Sequence, residues 1–437
     1  MSDQAYPLAT PRAHGPTLNY GRLFSALYAL FIFCGIFAAF RPSPYDFLFI
    51  IVFPMWFFAG GFKIPIGVNY ILVLWCIFLT LGFIALMPYW DQSAHHWDTA
   101  TPRGYELQSL YIIVTVIFFT LFFAQQSIER CLLTLKAYTA GCVLSAILGY
   151  LDVVGGSGLD WSRDQGRASA TFDDPNLYGS YLVLGAVFVL QGLLLGTTKR
   201  PILSAITLAI VIFGVFASFS RGASGAMISA SLLMGVTGFF TTRSRKTRKR
   251  ITMIAAVTCA LGVAAVLLLL AKPDTRALLL ERAQLTESYD TGATGRFGNQ
   301  ARSIPMLLDR PGGFGPLRFR DYFEAEPHNS YIGAFANDGW LGGFTWIIIV
   351  VSTGFVGFRL MFARSPYQRM AQVFWPALMA WLLQGFQIDI DHWRQLFLAF
   401  GAVWGLEAAR LRWLRQQARL PTRSEPAGDP CPVGPAP

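Results

Sequence analysis

The feature that most limits the folds open to this chain is a succession of apolar runs, each long enough to carry a helix across the ~30 Å hydrocarbon core of a bilayer. They fall at about 23–40, 45–60, 67–88, 108–124, 131–151, 177–195, 201–219, 223–240, 251–271, 333–358, 373–388 and 395–409. The second, eleventh and twelfth are short or interrupted, so the expectation is an all-α polytopic membrane protein with about 12 transmembrane helices, in the range 10–12. Composition agrees: 54% of the 437 residues are hydrophobic and only 14% are charged, against ~25% in a typical soluble domain. So few charges could not cover a soluble surface.

The net charge of +10 points to sidedness rather than to nucleic acid, because much of the excess sits in short clusters beside apolar runs. The strongest, RSRKTRKR at 243–250, reads as a cytoplasmic anchor between the eighth and ninth spans. Fixing it inside also puts Lys63, Arg130, Lys199, Arg200 and the basic residues of 359–369 and 410–419 inside, with both termini cytoplasmic. The predicted segments are a cytoplasmic start over 1–22, nine helices over 23–271, a large external loop over 272–332, three helices over 333–409 and a basic, Pro-rich tail over 410–437. The first apolar run exceeds the ~7–15-residue core of a signal peptide and is read as a retained helix. Six scattered cysteines without a CxxC pair suggest neither a disulfide framework nor a metal ribbon.

Polar residues gather on the predicted outer side. Of five histidines, His95, His96, His328 and His392 fall there, and His14 does not. GRASATFDDPNLYGSYL at 166–182 brings Arg167, Asp173, Asp174 and Asn176 to the mouth of the sixth span. SFSRGASGA at 218–226 sets Arg221 in a very short turn, and the large loop supplies Arg296, Arg302, Arg310, Arg318 and Arg320 ahead of His328. Each has a bland reading: Asp-Pro-Asn as a turn and helix start, Arg221 as a snorkelling side chain, and the loop arginines as a solvated face. Taken together on one side, arginines suit a phosphate or pyrophosphate, and a histidine can take a proton from a hydroxyl near neutral pH. DID at 389–391 is like the acidic pair of nucleotide-sugar enzymes. On the outer side, however, nucleotide sugars are absent, so no metal is expected, and Asp389, Asp391, His392 and Arg394 are left a rim role toward an acceptor sugar.

These motifs carry a resemblance to the bacterial O-antigen ligase and O-antigen/exopolysaccharide polymerase superfamily. His328-Asn329, nine residues, then Gly339, Trp340, Leu341 and Gly342 is similar to that family's H-[NSQ]-x9-G-x-x-G. Arg302 to Gly313 has the spacing of its R-x10-G, while TFDDPNLYG and SFSRGA resemble its T-F-x-x-P-N-x-x-G and S-R-[GAST] segments. A single convincing R-x10-G departs from polymerases described with two. The resemblance implies a C-type glycosyltransferase-like fold with one large periplasmic loop. It further implies a metal-independent, inverting glycosyltransferase that needs no cofactor and takes an undecaprenyl-pyrophosphate glycan as donor. The acceptor would be lipid- or glycan-linked, and the site periplasmic on the bacterial inner membrane. Its catalytic residues would be His328, Arg221 and Arg302. Arg167, Arg296, Arg310, Arg318, Arg320, Asp174, Asn176 and Asn329 would line the substrates, with the two asparagines also expected to cap helix starts. Ligation, polymerisation and protein O-glycosylation remain open on the sequence. A transporter or flippase is the alternative of a different class, for which polar groups would lie nearer mid-membrane.

Overall fold

A computed structural model describes residues 17–90, 101–153, 167–270, 292, 295–323 and 326–419. His14, His95, His96, Cys431, most of 271–294 and the Pro-rich tail lie outside the described residues. The described residues are helical and contain no strand. In order the helices are α1 (Thr17–Phe33), α2 (Pro44–Trp56), α3 (Asn69–Leu86), α4 (Pro102–Phe123), α5 (Ser127–Val153), α6 (Pro175–Leu195), α7 (Pro201–Ala217), α8 (Arg221–Thr241) and α9 (Arg245–Leu270). They continue with α10 (Arg296–Leu308), α11 (Ser330–Phe362), α12 (Gln368–Gln384) and α13 (Arg394–Ala418). Every apolar run of the sequence coincides with one of these helices, and α10 is an addition from the large loop. Seven helices among the described residues are both long and apolar enough to cross a membrane, and two further apolar helices are shorter.

Local chemistry sets the boundaries. Pro is at or next to the first position of α2, α4, α6 and α7, where its missing N–H costs nothing and its fixed φ suits a helix. Ser43, Thr101, Asp174 and Ser220 accept bonds from the first turns they precede, satisfying donors that the helix itself leaves open. Gly196 closes α6 with φ +68. The bundle's interior is aromatic, with Phe31, Phe118, Phe119, Phe122 and Phe123 fully or almost fully buried. α13 approaches α4 closely because Gly401 and Gly405 face Phe119 and Phe123, the small-residue packing on which membrane helices rely.

The helix ends form two chemically distinct layers. At one end, Arg359 Nη2 and Arg410 Nη2 reach Glu407 Oε1 at 2.5 and 2.8 Å, and Gln191 donates to the Arg369 carbonyl. Arg250 of the 243–250 cluster lies against Gly196 at the close of α6 on this end, and Leu411 of α13 lies against Gly67. At the other end lie the α6, α8, α11 and α13 N-termini, held by Arg394–Asp46 (2.9 and 3.0 Å), Arg41–Asp173 (3.3 Å) and Tyr89 to the Phe314 carbonyl (2.8 Å). The described residues of the sequence-predicted site all belong to this second end.

Candidate active site

The site begins with a break in α11. Gly339 has φ +70, ψ −170, a backbone conformation essentially confined to glycine, and it interrupts the helical ladder. The groups released there are taken up by the segment that follows α10. Phe314 N donates to the Ala336 carbonyl (2.7 Å) and Trp340 N to the Pro311 carbonyl (2.9 Å). Gly313, at φ +71, approaches so closely that a β-carbon would lie 2.6 Å from the Ala336 oxygen; one on Gly339 would lie 2.5 Å from the Pro311 oxygen. The two motif glycines, one ending R-x10-G and one inside H-N-x9-G, therefore make the same contact from opposite sides.

Just before α11, residues 328–330 are stitched to the turn between α12 and α13. Asn329 caps α11, accepting from Tyr331 N (3.0 Å) and Ile332 N (3.1 Å), and donates to the Phe386 carbonyl. Ser330 N donates to the Gly385 carbonyl (2.8 Å), and Ser330 Oγ receives Ile390 N (2.7 Å). His328 sits between them at φ +46, a conformation uncommon for a side-chain-bearing residue. Its Nδ1 lies 3.1 Å from Asp389 Oδ2, with the imidazole 42% exposed. An ionised carboxylate can only accept, so this pairing puts a hydrogen on Nδ1, and in the neutral imidazole the lone pair then lies on Nε2. The partner of His328 is thus a carboxylate rather than an arginine, which gives the DID segment a more specific position than a general rim role.

The arginines divide into two groups. Arg167 donates Nε to the Ser218 carbonyl (3.0 Å) and Nη2 to Asn176 Oδ1 (3.2 Å). Arg221 opens α8, whose next residue, Gly222, faces the Gln384 side chain. Arg296 reaches the Gln387 carbonyl (3.2 Å). Arg296 and the start of α8 therefore border the 384–389 turn that also holds His328, while Arg167 joins the start of α6 to the end of α7. Asn176 is not the helix cap expected of it: Asp174 caps α6 by accepting from Asn176 N at 2.9 Å, which leaves the Asn176 amide to orient Arg167.

The second group is engaged within the outer segment. Exposed Arg302 donates to Asn299 (2.6 Å) and lies over Phe323. Arg310 lies over Phe314 and Tyr322, Arg318 over Tyr89 with Asp321 at 3.3 Å, and Arg320 pairs with Glu326 at 2.9 Å. Among their described contacts, none joins these four arginines to His328. Burial raises the Glu326 carboxyl above its ordinary pKa, against the opposing pull of Arg320.

Beyond Asp389, a cavity of about 270 Å³ opens between α3, α4, α11 and the 389–392 turn. It contains residues that sequence reading passed over. Glu106 and Asp338 both crowd Gly82, whose β-carbon would lie 2.5 Å from Glu106 Oε2 and 3.3 Å from Asp338 Oδ1. Tyr105 donates to Asp391 (2.6 Å) and accepts from Asn337 Nδ2 (3.0 Å), while His392 Nδ1 lies 3.3 Å from Asp391. Burial by itself would raise the Asp391 carboxyl, but His392 and the hydrogen bonds from His392 and Tyr105 outweigh it and hold the group below the usual carboxylate range. One signal could have flagged this cavity: lone carboxylates at the edge of, or within, apolar spans are costly and by default functional. Among the described residues no cluster of His, Cys, Asp or Glu is arranged to hold a metal ion.

An all-helical membrane bundle with a histidine–carboxylate pair and arginines at one end is the class these observations define. Residues 205–347 match the family model described as O-antigen ligase, so this stretch of the chain is similar to that family. The match covers Arg221, Arg302, Gly313, His328 and Gly339, whereas Thr171 to Gly179, which also carried the resemblance, lies outside it. No curated protein matches the chain.

Proposed function

We propose that the chain transfers a glycan from an undecaprenyl-pyrophosphate donor to a sugar hydroxyl on a lipid- or glycan-linked acceptor. This would take place at the periplasmic face of the bacterial inner membrane, during lipopolysaccharide or exopolysaccharide assembly. The observation that carries this reading is the His328–Asp389 pair beside the turn bordered by Arg296 and the start of α8 at Arg221. The acceptor oxygen attacks the anomeric carbon, and His328 Nε2 takes its proton. The bond from that carbon to the pyrophosphate oxygen breaks with inversion, and the lipid pyrophosphate leaves with the electron pair. Asp389 holds the imidazole in the required tautomer and stabilises the charge it gains, as a carboxylate does for a catalytic base. Arg167, Arg221 and Arg296 supply planar donors for the leaving pyrophosphate. Because Arg302, Arg310, Arg318 and Arg320 hold contacts within the outer segment, we assign them to shaping that segment around the substrates.

Reconstitution with a defined undecaprenyl-pyrophosphate oligosaccharide and candidate acceptors tests this. One transfer per acceptor supports ligation, extension of the glycan supports polymerisation, and a glycosylated protein acceptor points to O-glycosylation. His328→Ala is expected to lower turnover ~10²–10⁴-fold, and Arg221→Ala ~10²–10³-fold. Undiminished transfer by both variants would remove the assignment.

A further inference from the structure

The cavity beyond Asp389 contains two buried polar atoms without partners. Glu106 is 2% exposed, and its Oε1 has no hydrogen-bond partner. Trp346 is 3% exposed, and its indole Nε1–H is likewise unpartnered. Both residues line the same cavity. One unpartnered atom can only donate. The other belongs to a carboxyl, which accepts. Leaving such groups unmet in a buried position costs ~1–3 kcal/mol each, so the cavity is built for an occupant that supplies both donors and acceptors. A hydroxyl does both.

Size and charge narrow the occupant. At about 270 Å³ the space lies at the lower limit of small-molecule sites, which start near ~300 Å³, and it fits a single sugar residue better than an oligosaccharide. Phe78, Trp346 and Phe397 offer apolar surface for the C–H face of a ring. The remaining wall is rich in carboxyl groups, Glu106, Glu326, Asp338, Asp389 and Asp391, against one guanidinium, Arg41, and the His392 imidazole. Such an acidic balance disfavours an anion, and electrostatic mismatch is one way a site rejects a wrong ligand. Asp389, the partner of His328, is part of the cavity's lining, so the cavity adjoins the base.

We propose that the cavity formed by Glu106, Asp338, Trp346 and Gly82 is the subsite for the acceptor's reacting sugar, and that it selects a neutral or amino sugar over an anionic one. The proposal rests on the glycosyl-transfer reading for its placement beside His328. Glu106 and Trp346 bind the sugar's hydroxyls and present one of them toward His328 Nε2; they set specificity and take no proton from the reacting oxygen.

The test is equilibrium dialysis of the full-length protein in lipid nanodiscs with radiolabelled methyl glycosides of N-acetylglucosamine, glucosamine and glucuronic acid. Wild-type protein is expected to bind the first two at least about tenfold more tightly than the glucuronide, a gap of ~1.4 kcal/mol. Asp391→Asn keeps the shape and removes the carboxylate that the fold holds ionised, so it should narrow that gap, while Glu106→Gln should change the binding of all three sugars alike. Trp346→Phe should weaken all three and preserve the gap. Gly82→Val, which fills the space between the carboxyls, should abolish binding while the melting temperature confirms a folded bundle. Absence of sugar binding, equal binding of the glucuronide, or a gap unchanged by Asp391→Asn overturns the proposal. Failure of the two readings is separable. Sugar binding without transfer from any lipid-linked donor would remove the reaction and leave the subsite. His328-dependent transfer whose acceptor choice ignores Asp391→Asn would remove the subsite and leave the reaction.

Discussion

At the scale of single residues, the pairing of His328 with Asp389 gives the most direct expectations. Asp389→Asn keeps the shape but offers Nδ1 a partner that no longer fixes one tautomer. It should lower turnover about 10–100-fold with little change in apparent acceptor affinity, measured as separate kcat and KM values in reconstituted membranes. Asp391 makes a different prediction. Its carboxyl is held below the unfolded value of 3.8, so its ionised form is favoured by folding. The stability it contributes is fully present above that value and lost as pH falls through the lower folded value. Thermal melts in detergent from pH 6 down to 3 should therefore show the wild type losing part of its stability only toward the bottom of the range. Asp391→Asn, less stable at pH 6, should lose its deficit there. A deficit that stays constant with pH would contradict the assignment.

At the scale of elements, the break in α11 ties the large outer segment to the bundle. Gly339→Ala puts a β-carbon against the Pro311 oxygen in a conformation that costs alanine ~1–3 kcal/mol by itself, before the clash. The expected result is a lower melting temperature and earlier proteolytic cleavage near 311–323, with loss of transfer because His328 and Asn329 belong to the same helix start. Gly313→Ala should behave alike, and the double variant should cost less than the sum of the two, since both disrupt one contact. Additive losses would mean that the glycines act separately. The resemblance picked out these glycines through its motifs, and the Asn329 cap was expected with them. That Gly313 and Gly339 serve one shared contact was not, because each glycine's role depends on backbone from the other segment.

At the scale of the whole molecule, the two layers of helix ends carry the sidedness argument. Cysteines introduced at exposed Leu308 and Lys246 should label with an impermeant reagent from opposite faces of sealed inner-membrane vesicles. Labelling from the same face would overturn the topology and with it the periplasmic placement of the site.

The sequence by itself determined the helical membrane architecture, the grouping of basic residues at one end and the placement of His328, Arg221 and Arg167 at the other. Length, apolarity and the alternation of loops are local properties, and they survive without coordinates. The tertiary structure decided which polar groups meet. Glu106 was hidden because the fourth apolar run begins at 108, whereas the helix starts at Pro102 and draws Glu106 into its second turn. Asn337 lay inside a run where nothing in its neighbourhood announces Tyr105, 232 positions earlier in the chain, as its partner. His328 and Asp389 are separated by a helical hairpin and join only because α11 and α12 pack side by side. A hydrogen bond across such distances has no period and no spacing in the sequence. Burial in a low-dielectric bundle makes these few contacts costly to leave unmet, and that cost, rather than any motif, fixes the chemistry of this end of the protein.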